Sequence, residues 1–171
     1  MKKRDIKKIG KRGQETMGMP FSIIFSIILI IVFIVIAFVA IRYFLSIKKC
    51  SQVGMFYEDL EKEIASAQSS SGTSKDFKIE LPSGIEKVCF ADLEKPATKN
   101  EGDEFTELEM FQGYEANTFL LPESETCENA YRQIDYLDIP KIIASKNPYC
   151  VNSGSTLRIE KKIYDKAVFV K

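Results

Sequence analysis

The stretch FSIIFSIILIIVFIVIAFVAI, residues 21–41, carries no charge, and its only polar side chains are Ser22 and Ser26. At 1.5 Å rise per residue, about 20 apolar residues match the ~30 Å hydrocarbon core of a bilayer. Ile, Val, Leu and Phe each favour that environment by roughly 0.3 to 0.6 kcal/mol near its centre, and no ionic penalty offsets the sum. The competing assignments are a buried strand or a core helix. Strands run about 5 to 6 residues, and a helix apolar on every side needs a large protein around it. A chain of 171 residues does not supply one. The stretch therefore reads as a membrane-spanning helix with the lipid bilayer as partner, every backbone group being satisfied within the helix.

Charge orients that span. Residues 1–12 hold seven Lys or Arg against one acid, Asp5, whereas only Arg42, Lys48 and Lys49 follow the span closely. The excess of cations places the N-terminus in the cytoplasm and the C-terminal part outside it, a single-pass arrangement in the cell membrane. From Cys50 onward 14 basic residues meet 22 acidic ones, which speaks against a nucleic-acid partner. About 120 residues after the span suffice for one small domain. The expected division is a basic cytoplasmic leader, 1–13, a lead-in and transmembrane helix, 14–49, and an extracytoplasmic α+β head, 50–171, that includes an amphipathic helix, 51–68.

The helix is expected to continue past the membrane. Arg42, Tyr43, Lys48 and Lys49 suit the headgroup level. Val53, Phe56, Tyr57, Leu60, Ile64 and Ala67 then recur at spacings of three and four, with Glu58, Glu61 and Lys62 on the other face. No proline interrupts the chain between Pro20 and Pro82, so one helix from about Pro20 to Ala67 is expected, the alternative being a bend near residues 48–51. Pro20 suits a first turn, leaving residues 14–19 as a lead-in. The serine-rich tract 69–74 ends the helix as a connection.

The remainder reads as a small antiparallel β head. Phe77, Ile79 and Leu81 alternate with Lys78 and Glu80, and Pro82-Ser83-Gly84 turns the chain into 85–90, which predicts a hairpin. Residues 94–104 read as a polar loop, 105–111 and 117–121 as two short strands, and 124–137 as a short helix or compact turn. Leu157, Ile159 and Ile163 alternate with Arg158, Glu160 and Lys162, and with 167–170 they predict a terminal hairpin. Phe56, Tyr57, Phe90, Tyr114 and Tyr149 are assigned to the core.

All four cysteines, Cys50, Cys89, Cys127 and Cys150, fall after the span, where an oxidising compartment favours two disulfides. Three pairings are open. Metal chemistry is not expected: the chain has no His and no close Cys pair. Glu101, Asp103, Glu104, Glu107 and Glu109 lack the ordered spacing and turn of a calcium loop and read as solvated. No nucleotide-binding or nucleophile motif occurs, so neither a cofactor nor enzymatic activity is expected.

A short basic leader ending in Gly13-Gln14, set just before a hydrophobic helix, resembles the class III signal peptides of archaeal type IV pilin-like proteins. The resemblance covers roughly the first 65 residues. It implies a prepilin peptidase that cuts between Gly13 and Gln14, and a mature chain beginning QETMGMPFSIIF. It also implies other pilin-like subunits as partners, since the helix kept by the mature protein can pass from bilayer to filament core. Where that family usually carries Glu, at the fifth residue after the cut, this chain has Gly18. The expected function is a pilin-like or minor pilin subunit of a surface filament or secretion apparatus. The alternative is an unprocessed membrane-anchored surface protein whose head is a binding module.

Overall fold

The computed structural model describes residues 18–98 and 102–171, so the leader, the Gly13-Gln14 bond and Glu101 lie outside the described residues. The chain divides into two compact units, Met1–Leu45 and Ser46–Lys171. Helix α1 runs without a break from Gly18 to Ser69. Gly18 and Met19, expected in the lead-in, are already helical ahead of Pro20, and the rest of the lead-in, residues 14–17, lies outside the described residues. Proline is tolerated in a first turn because the N–H it lacks would have no helical partner there.

The second unit is an α+β head. Its strands are β1 (Thr73–Lys78), β2 (Lys87–Phe90), β3 (Thr118–Leu121), β4 (Tyr131–Arg132), β5 (Tyr149–Asn152), β6 (Thr156–Lys161) and β7 (Phe169–Val170), with short helices α2 (Gly102–Leu108) and α3 (Ile139–Ile142). They form two antiparallel sheets, ordered β1-β6-β7 and β4-β3-β2-β5. Against them lies the face of α1 read from its spacing: Val53, Phe56, Tyr57, Leu60, Ile64 and Ala67 are all buried. The same cluster takes Val88 and Phe90 from β2, Leu120 from β3, and Leu157 and Ile159 from β6.

The four-stranded sheet is covered on both faces. Val88, Phe90 and Leu120 point into the α1 cluster, while Cys89, Phe119 and Leu121 join Leu108 and Phe111 in a second one. Double coverage explains why all four residues of β3 are buried, since alternation of polar and apolar side chains needs one wet face.

Several expectations are corrected. Residues 105–111 are not a strand but α2 and a 3-10 turn, Glu109–Phe111. The buried positions Leu108 and Phe111 are three apart, a helical interval. The polar loop expected over 94–104 accordingly gives way to α2 from Gly102. The hairpin joining 77–81 to 85–90 does not form: β1 pairs with β6, and β2 lies in the other sheet between β3 and β5. The backbone past Lys78 turns to the β5–β6 loop, with Ile79 N–H donating to Ser155 O at 2.9 Å, whereas Glu86 N–H donates to Leu121 O at 2.8 Å. The serine tract already enters β1 at Thr73. Within 124–137 the compact turn forms rather than the helix, with a 3-10 turn at Glu123–Glu125 and a further turn at Cys127 and Glu128, and Tyr131 pairs with Phe119. The terminal hairpin does form, with Ile159 opposite Val170.

Two asparagines fix the loops around the four-stranded sheet. Asn117 is buried; its amide donates to Ile134 O at 2.8 Å and its Oδ1 accepts from Ile134 N–H at 2.9 Å, as a paired strand would. Asn147 Nδ2 donates to Asp92 O at 2.9 Å, and Asn147 Oδ1 accepts from Asp92 N–H at 3.3 Å. Replacing Asn117 with alanine leaves both Ile134 backbone groups buried without partners. The expected loss is about 2 kcal/mol of head stability by urea titration. A change under about 0.5 kcal/mol, the range of ordinary surface substitutions, would contradict this role.

Candidate functional site in the apolar helix and the head surface

In the first unit, α1 presents apolar side chains on every side, and none of its most apolar window is buried. Phe21 is 74% exposed and Phe33 66% exposed. The helix is long and apolar enough to cross a membrane. Within the apolar stretch Ser26 Oγ donates to Ser22 O at 2.8 Å, which lowers the cost of that group in an apolar medium. Near the end of the unit, the Arg42 guanidinium lies 4.6 Å from the Phe38 ring centre.

In the head, the part of α1 around Lys49 and Cys50 is tied to the loop before β4. Cys50 is bonded to Cys127, and Lys49 pairs with Glu125. The turn holding Gly84 closes over the same place. A Cβ on Gly84 would meet Glu125 Oε2 at 2.7 Å, and its φ of +96° is one that side-chain-bearing residues rarely adopt. The second disulfide joins Cys89 to Cys150, directly opposite each other on β2 and β5, with Cα atoms 4.0 Å apart. It belongs to the buried cluster under α2, with Cys89 fully inside.

Of the aromatics assigned to the core, Phe56, Tyr57 and Phe90 are buried and Tyr149 is partly buried. Tyr114 is not, and rests at 5.0 Å from the Tyr131 ring. Burial pushes the Tyr57 phenol well above its ordinary pKa; nearby Arg132 opposes the shift and Glu61 adds to it. Arg132 itself lies 4.8 Å over the Tyr57 ring and 3.3 Å from Glu61, linking α1 to β4. On the three-stranded sheet, the Arg158 hydrogen bond holds the Asp76 carboxyl below its usual range. These two face each other in the β1–β6 register at 2.8 Å.

Among the described residues, no three His, Cys, Asp or Glu side chains converge as a metal site. Of the acidic group near α2, Glu104 pairs with Lys87 at 2.7 Å, and Glu107 and Glu109 face solvent.

One surface feature was not anticipated. A groove of about 610 Å³ opens between the loop after β2, the 112–117 segment and the 133–139 segment. Asn147 and Asn117 hold two of these walls, as described above. Tyr136 sits in the third with a φ of +66°, its backbone O accepting from Val168 N–H at 2.7 Å. A left-handed tyrosine is uncommon, and here it leaves the ring half exposed at the rim. Sequence periodicity carries no signal for a site assembled from three loops.

No known family model, characterised protein or solved structure matches the chain.

Proposed function

We propose that the protein is a pilin-like or minor pilin subunit of an archaeal surface filament or secretion apparatus, held in the cell membrane by the first part of α1 before assembly. The observation that carries this reading is the unbroken helix. Its turns from Phe21 onward are apolar and uncovered, and its turns from Val53 to Ala67 form the core of an α+β head. A single element thus has two solvents, lipid or neighbouring helices for one part and its own head for the other. The seven cations of residues 1–12 would keep the leader in the cytoplasm and send the head outward, where both disulfides persist. A prepilin peptidase would then cut between Gly13 and Gln14, leaving the helix on the mature chain.

Mass spectrometry of the native N-terminus tests the reading. A chain beginning at Gln14 is expected, and one still beginning at Met1 would contradict it. Replacing Gly13 with valine is then expected to block the cut and abolish filaments. The second reading, an unprocessed anchored protein whose head binds a ligand, is favoured by the groove and requires Met1 to be retained.

A further inference from the structure

Two features stand open on the surface of the head, and they complement each other. The first is the turn between β6 and β7. It is closed by Asp165 N–H donating to Lys162 O at 3.0 Å and held by Gln68 Nε2 donating to Lys166 O at 3.0 Å. On this fixed turn Ile163 is 73% exposed and Tyr164 95% exposed, with Lys162 and Lys166 exposed on either side. Singly exposed apolar residues are ordinary. Two adjacent ones on a pinned turn between cations make a compact projecting tip.

The second feature is the groove. Tyr114 and Tyr136, 58% and 56% exposed, stand on two of its walls. Glu94, Glu115 and Asp135 also line it, and no Lys or Arg does. An aromatic surface whose charged lining residues are all carboxylates fits a ligand that is apolar at its centre and cationic at its edges. The tip has that composition.

Both features also flank α3. Ile139, the first residue of α3, lines the groove, and Lys141 pairs with Asp165 of the tip at 3.1 Å. One patch therefore carries both halves of the contact. A self-complementary patch is what a two-fold pair requires, each partner giving what the other takes.

We propose that the 162–166 tip of one copy seats in the Tyr114–Tyr136 groove of a second copy, and the reverse. Ile163 and Tyr164 lie against the two tyrosines, while Lys162 and Lys166 face Glu115 and Asp135. The contact rests on the reading of this protein as a subunit that meets other copies of itself. It does not depend on removal of the leader.

The test uses the full chain in detergent micelles, with self-association followed by sedimentation. One variant carries Lys162→Glu and Lys166→Glu, and the other carries Glu115→Lys and Asp135→Lys. All four positions are exposed, and circular dichroism with intact disulfides verifies each fold. Each variant alone opposes like charges at both contacts and is expected to associate at least about tenfold more weakly than the parent. An equal mixture restores opposite charges at both contacts and is expected to pair again. A parent chain that stays monomeric overturns the proposal. So does association unchanged in either variant, which the apolar helix would produce, or a mixture that pairs no better than its components. Because the N-terminus is the same in every arm, these outcomes are separate from the fate of the Gly13–Gln14 bond.

Discussion

Replacing Cys89 and Cys150 together with alanine is expected to lower the unfolding free energy of the head by about 4 kcal/mol. Closing a loop of this length removes roughly that much chain entropy from the unfolded state. The two residues are 61 apart in sequence and meet across β2 and β5. For a domain whose whole stability is of order 5 to 15 kcal/mol, such a loss brings the head close to unfolding. Urea titration in micelles, followed by the near-ultraviolet circular dichroism of the tyrosines, measures it. A loss below about 1 kcal/mol would show that the unfolded chain is already confined by other means. The Cys50–Cys127 bond, 77 residues apart, should give a loss of similar size under the same entropic argument. Reduction of both should loosen the head and leave membrane association unchanged, because neither bond lies in the apolar stretch.

Placing a carboxylate at the middle of that stretch should have the opposite signature. Ile31→Asp is expected to cost about 3 kcal/mol of insertion, a roughly hundredfold fall in the inserted-to-uninserted ratio. The fraction of chain retained in alkali-washed membranes measures it. Met55→Asp, at an exposed position of α1 within the head, is the control expected to leave retention unchanged. Retention of the Ile31→Asp chain at the parental level would contradict assignment of residues 21–41 to the membrane.

The apolar residues of α1 show which parts of the fold were legible. A period of 3.6 needs no knowledge of distant partners, so Val53, Phe56, Tyr57, Leu60, Ile64 and Ala67 marked their own face. β6 was legible for a related reason: Leu157 and Ile159 are buried while Arg158 is exposed, the alternation of a sheet with one wet face. β2 and β3 carry no such alternation because both their faces are covered. Proximity in sequence misled at β1. The strand bypasses its neighbour in sequence and pairs with β6, bringing Asp76 to Arg158 across a separation of 82 residues. The groove left less trace still, since its walls come from three loops held by side-chain amides rather than by a repeating pattern.

By itself the sequence determined the apolar span, the amphipathic face that follows it, and the terminal hairpin. Each is a local pattern of solvent preference, written within one turn or one strand pair. Only the tertiary structure decided that the helix is unbroken from Gly18 to Ser69, that Cys50 joins Cys127 and Cys89 joins Cys150, and that β1 belongs with β6. Cysteine and strand pairing depend on which distant surfaces exclude water together, and no local period records that.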